Sequence, residues 1–413
     1  MLGPVPFKAA LVSWCGGCRP LQGTRGVSFT RVAWGFRDLS SGGAGLRLPF
    51  LLLEPQPRGL TVARKQSKGS DTRKPPTRTE LIKRLEELRS SSVICLLTSL
   101  RPGVQGLISD DQVRVMFDHL LAIRPRPIPR LDLFLVSNGG NGVVPWRLVS
   151  LFREFAQKFR VMIPYRAYSA ATLLALGADE IVMHPFGELG PIDPSVSNDF
   201  NPKNQQGQPI AISVEDVKAY VAFIKKTVGI THEDELVKTI ESLCAQVHPL
   251  ALGNVERFVS QSRMIATKVL KTHMEGDADH IIDELVENMT SKLYFHGHPI
   301  NRKEAKQDLK LKVLPDPGPD LENTMWDLYC DFEKAFENTE PFFPSGQLFT
   351  AFAGNMALNT TQSIDAELLH AAIESSALKS EFRSSHKVTM TLTPNGPQLM
   401  DQILSQGWRH SKP

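Results

Sequence analysis

The sequence has little that would hold it in a membrane. Its apolar run at Pro49-Phe50-Leu51-Leu52-Leu53 is broken by proline and bounded by Arg47 and Glu54, far short of the about 20 residues a spanning helix needs, so no transmembrane anchor is expected. Ala9 to Trp14 is too short for the apolar core of a secretory signal. Cysteine is scarce: five in 413 residues, an odd count without regular spacing. That excludes a disulfide framework and points to reduced thiols and a cytoplasmic setting, with membrane association left open. Cys15 and Cys18 imitate a redox pair, but no thioredoxin-like unit surrounds them. Acidic residues are almost missing from the first 75 positions, where Asp38, Glu54 and Asp71 face twelve bases from Lys8 to Lys74. This arm, residues 1–75, reads as a basic, disordered extension. It supplies the positive balance of a chain whose net charge is +3, so the rest is close to neutral or acidic, has no basic groove, and nucleic acid is not an expected partner. With 41% apolar and 22% charged residues, what remains is the composition of a soluble globular protein.

What is present is a repeated strand, turn and helix. Leu131 to Val136 is a short apolar, β-leaning run stopped by turn residues from Ser137 to Gly142. Leu148, Val149, Phe152, Phe155, Ala156 and Phe159 then recur at helical spacing, so a helix is expected over 146–159. Val161 to Pro164 is a second strand, Ala167 to Ala178 a small-residue helix with Ser169 at its mouth, and Ile181 to Met183 a third strand. Upstream, a helix over 79–88, a strand over 93–97 and a helix over 110–121 extend the alternation. Such alternation predicts an α/β fold with a mainly parallel sheet and helices on its faces, ligands sitting where strands end.

The glycine pair Gly139-Gly140 after a strand frees backbone N–H groups at close range, and a serine at a strand-to-helix turn can aim a hydroxyl at them. One would stabilise charge and the other attack. Four blocks, Gly139-Gly140, Ala167 to Ala170, Ala178 to Val182 and Leu189 to Pro194, with a later one from Tyr294 to Asn301, resemble the Clp/signal-peptide-peptidase superfamily. Within it they resemble the serine dehydrogenase proteinase family, over roughly residues 78–316. The resemblance implies a ClpP/crotonase-like spiral of ββα units and a serine peptidase acting on peptide or protein substrates. It makes Ser169 the nucleophile, Gly139 and the Ala170 backbone the oxyanion donors, and Gly140 the place where substrate backbone approaches. It also implies a homo-oligomer. Two departures stand out: Asn138 replaces the family's proline, and Ala171 a glycine.

A serine needs a neighbour to take its proton. The segment 189–194 holds no histidine, and His184 is out of register. The signal-peptide-peptidase branch of the superfamily uses a later lysine, which implies Lys218, Lys225 or Lys226 on a helix over 213–226. Lys218, beside the apolar stripe of Val214, Val217, Val221 and Ile224, is preferred, since lysines at a helix C-terminus are favoured there without any catalytic role. Plain structural readings compete at each position: a cap for Ser169, a turn for the glycines, solvated lysines, and caps or turns for Asp179, Glu180 and Asp193. His296 and His298 lack further ligands at metal spacing, so neither a metal nor another cofactor is expected. Two other functions remain open: a noncatalytic scaffold of the same fold, and a crotonase-type acyl-CoA enzyme using the oxyanion hole alone. The organisation is thus an extension (1–75), a peptidase domain (76–320) and a small C-terminal α+β appendage (321–413). In the last, helices are expected over 321–337 and 364–378 and a strand over 387–392.

Overall fold

The computed structural model describes residues 75–413, apart from 193–194, 197–199, 205–206, 208–209, 211, 275–278, 293–297 and 353–358. The N-terminal arm and the positions Asp193 and His296 therefore lie outside the described residues.

Helix α1 (Arg78–Arg89) begins at a capping box, in which Thr77 Oγ1 accepts from Glu80 N–H and the Glu80 carboxylate accepts from Thr77 N–H. After it come β1 (Ser92–Thr98), α2 (Asp111–Ala122), β2 (Leu131–Val136), α3 (Val144–Phe155), β3 (Phe159–Ile163), β4 (Arg166–Ala167), α4 (Ala170–Leu176) and β5 (Glu180–Met183). β1, β2, β3 and β5 pair in parallel, each with the next. Phe159, placed in a helix by its spacing, instead opens β3 opposite Leu131. Its ring packs on Phe152 at 4.7 Å, which is why it kept the helical interval.

Alternation along the strands divides the core in two. Ile94, Leu96, Leu133, Leu135, Val161 and Ile181 face one apolar cluster with α2, α3 and α4. Val93, Cys95, Leu97, Phe134, Met162 and Val182 face the other, which includes α1. The chain then makes β6 (Glu188–Leu189), β7 (Ser195–Val196), β8 (Ile212–Ser213) and α5 (Val214–Ala222), which runs into a π-helical stretch, Phe223–Val228. The helices α6 (Glu233–Gln246), α7 (Pro249–Lys271) and α8 (Asp279–Glu287) follow, then β9 (Ile300–Asn301) and α9 (Arg302–Gln307). Helix α10 (Pro319–Phe336) lays Leu321, Met325, Leu328, Tyr329, Phe332 and Phe336 into the second cluster, each side chain contributing roughly 1.5–3 kcal/mol by burial.

After α11 (Pro344–Phe352), three long strands close the chain: β10 (Thr361–Ser375), β11 (Lys379–Thr393) and β12 (Gly396–Ser411). The stretch 364–378 was expected to be helical; instead 364–375 lies in β10 and 376–378 turn into β11. β10 lies antiparallel between β1 and β11, pairing Ala371 to Ser375 with Thr98 to Ile94. Pairing on both sides overrides the helical spacing of Ile364, Leu368 and Ala372. The C-terminal segment therefore continues the central sheet, whose order is β12-β11-β10-β1-β2-β3-β5.

Candidate active site

The carboxyl ends of β2 and β4 meet at one point. Ser137 N–H donates to the Arg166 carbonyl (2.8 Å) and Tyr168 N–H to the Ser137 carbonyl (2.9 Å), which carries the start of α4 to the glycine turn. Ser137 is buried, and its Oγ accepts from Thr98 Oγ1 (2.8 Å) and from Gly139 N–H (3.0 Å). The hydroxyl thereby folds the turn back on the strand end, an ST-type turn.

Two glycines are required here by space and by backbone angle. Gly139 has φ +107°, and a Cβ there would lie 2.8 Å from Ser169 Cβ, 2.8 Å from the Tyr168 carbonyl oxygen and 3.2 Å from Ala170 N. Gly140 has φ +151°, and a Cβ would lie 2.3 Å from the Ile108 carbonyl oxygen. Ile108 runs beside the turn like a strand, its N–H donating to the Gly139 carbonyl (2.8 Å) and its carbonyl accepting from Asn141 N–H (2.8 Å). Gly139 thus packs directly on Ser169 and Ala170, and Gly140 on the neighbouring strand-like segment.

Ser169 occupies the N-cap position of α4 but makes no side-chain cap bond. Its φ is 52° and its ψ is −113°, an angle pair costly for a residue with a Cβ, of order 1–3 kcal/mol. It is partly exposed. The strained backbone, a hydroxyl free of capping and an N–H of Ala170 at the open end of a helix are what an attacking serine beside an anion-stabilising amide needs. The N–H of Gly139 is engaged by Ser137 Oγ, whereas among the described residues that of Gly140 donates to no acceptor.

Helix α4 is buried over its whole length, Ala171 included, so the alanine at this position fits the core. Thr172 Oγ1 bonds the Ala167 carbonyl (2.7 Å) and the Gly190 carbonyl (2.8 Å), tying the helix to the segment after β6. A Cβ at Gly190 would lie 2.8 Å from the Tyr168 ring. Tyr168 donates its hydroxyl to Glu188 (2.6 Å); burial first, then that carboxylate, pushes its pKa up.

Lys218 lies on α5, and its side chain is outside the described residues. Lys225 and Lys226 are exposed on the π-helical stretch. His184 accepts from Phe186 N–H and stacks on Trp326 at 5.1 Å, and burial lowers its pKa. Asp179 is held by Arg153 (2.7 Å) and Phe159 N–H (2.8 Å), Glu180 by Arg89 (2.6 Å), and His298 by Glu304 (2.8 Å). These are structural partners. Sequence reasoning missed Ser137 and Thr172 as builders of the site. The one available signal was a hydroxyl at each end of the two blocks.

Residues 70–205 match the family of ClpP-like SDH-type serine proteinases. Two uncharacterized proteins of Methanocaldococcus jannaschii are similar to the chain. One is 24% identical over 237 residues (56% of this chain, 69% of the relative). The other is 25% identical over 238 residues (56% and 71%). Among solved structures, a mutant of the 1510-N membrane-bound stomatin-specific protease aligns with a TM-score of 0.29 at 13% identity, over 51% of this chain and 75% of that one. A second mutant of that protease, in complex with a substrate peptide, gives 0.29 at 14% identity, over 49% and 67%. Among the described residues no helix of this chain is long and apolar enough to cross a membrane.

Proposed function

We propose that this chain, whose residues 70–205 match the ClpP-like SDH-type serine proteinase family, hydrolyses peptide bonds through Ser169. The observation that carries the reading is the conformation of Ser169: φ 52° with no cap bond, packed against Gly139 and next to the helix-end amide of Ala170. In this mechanism Ser169 Oγ forms a bond to the peptide carbonyl carbon as its proton passes to a base. The developing oxyanion is met by Ala170 N–H and by an amide of the glycine turn. For Gly139 that means exchanging Ser137 Oγ for the substrate oxygen; Gly140 would keep substrate backbone close. The base returns the proton to the leaving amine as the C–N bond breaks, and water then releases the acyl group. Lys218 is our choice of base, which requires its neutral form and therefore apolar surroundings. Homo-oligomerisation and a cytoplasmic setting belong to the same proposal.

A fluorophosphonate probe tests the reading. It is expected to attach to Ser169 of the full chain, as peptide mass mapping would show, and not to attach after heat denaturation. An adduct on another residue, or none, would count against the proposal. A crotonase-type acyl-CoA enzyme would instead bind a CoA ester without labelling, and a noncatalytic scaffold would do neither.

A further inference from the structure

Resting on that reading, we infer that His370, on β10, is a positioning residue for the candidate site: it straps down the segment that seats the glycine turn. The segment is 105–108. At its far end Ile108 holds the turn through the two main-chain bonds to Gly139 and Asn141. At its near end the Gln105 carbonyl accepts from His370 Nδ1 (2.8 Å). Between them the Leu107 carbonyl accepts from Gln112 Nε2 (2.8 Å), and Gly106 lies against the Ser99 backbone, where a Cβ would be 2.3 Å from Ser99 N.

Apolar packing anchors this segment at Ile108, which is fully buried in the first cluster, and leaves its near end without such an anchor. Leu107 is 45% exposed, and a cavity of about 210 Å³ beside it is lined by Gln105, Leu107, Gln112 and His370. Hydrogen bonds at Gln105 and Leu107 therefore set the position of that near end.

His370 is itself held in one orientation. A carbonyl only accepts, so Nδ1 carries the proton, and Nε2 then accepts from the Ser384 hydroxyl (2.6 Å). Ser384 Oγ also lies within hydrogen-bond distance of His386 Nε2 (2.7 Å), and His386 Nδ1 meets the Asp401 carboxylate (2.8 Å). The relay runs from β12 through β11 and β10 to the segment, and Ser384 is fully buried within it. All of its side chains lie outside residues 70–205, so strands beyond the family match reach the site through this imidazole as well as through the pairing of Ala371 with Thr98.

The test compares His370→Leu, which removes the donor, with His370→Asn, whose amide N–H₂ replaces Nδ1. Two readouts are used: amide exchange at Ile108 and Asn141, which needs no activity, and the rate constant for fluorophosphonate attachment once the probe is bound. For His370→Leu, exchange at both amides is expected to speed up and attachment to slow by about 10- to 100-fold, the scale of a misplacement near 1 Å. His370→Asn is expected to stay within about threefold of the unaltered chain by the same scale. Unchanged attachment in His370→Leu overturns the inference, whether or not exchange changes, and so does equal slowing in both variants. Should His370→Leu not fold, Ser384→Ala carries the comparison: it frees the imidazole to turn, and unchanged exchange and attachment overturn the inference. An unaltered chain that never labels overturns the peptidase reading instead, while the exchange data still report the strap.

Discussion

Ser169→Ala is expected to lower peptide turnover at least about 10³-fold while the protein unfolds at the same denaturant concentration, since removing a catalytic serine leaves only what binding and oxyanion stabilisation supply. Both halves follow from the geometry. The hydroxyl makes no cap bond to α4, so its loss removes no structural interaction, and a change of this kind falls within about ±0.5 kcal/mol. The strain at φ 52° remains with alanine, because any Cβ shares it. A structural cap would behave oppositely, costing about 0.5–2 kcal/mol on replacement and leaving turnover intact. Steady-state hydrolysis together with urea unfolding separates the two.

Asp132→Ala is expected to cost about 3–5 kcal/mol of stability, the range for stripping one partner from a buried ionic cluster. Asp132 is fully buried near the start of β2 and accepts from Arg89 Nε (2.9 Å), Arg160 Nε (2.5 Å) and Ser91 Oγ (3.0 Å). Arg89 also reaches Glu180 (2.6 Å). Burial works against the Arg89 charge, but Asp132 and Glu180 outweigh it and hold its pKa above the usual value. Without Asp132, Arg89 and Arg160 are left short of a counter-charge at the amino ends of the parallel strands. Ser169 sits at their carboxyl ends. The expected result is therefore a lower urea midpoint with probe labelling per folded molecule retained. A midpoint shift worth under about 1 kcal/mol would mean that Arg89 and Arg160 re-pair with Glu180 or solvent, as exposed pairs do.

The parallel core was legible because its strands are short apolar runs ended by glycine or polar turns, as Leu131 to Val136 ends at Ser137. The site was legible in part for the same reason: a glycine pair and a serine at a helix mouth are local signals. What escaped was set by partners distant in sequence. The role of Ser137 depends on Thr98, and His370 meets Gln105 across 265 positions. Neither distance leaves a periodic trace. The stretch 364–378 was misread because Ile364, Leu368 and Ala372 fall at helical intervals, while the Leu368-Leu369 and Ala371-Ala372-Ile373 runs reflect a strand covered on both faces. For Lys218 the sequence offered only its place beside an apolar stripe.

The most direct measurement is a crystal structure of the chain carrying a phosphonate adduct. The account predicts phosphorus bonded to Ser169 Oγ and a phosphoryl oxygen about 2.7–3.1 Å from Ala170 N, the spacing of an oxyanion-hole bond. Phosphorus on another side chain, or a phosphoryl oxygen turned away from both the Ala170 amide and the glycine turn, would contradict it.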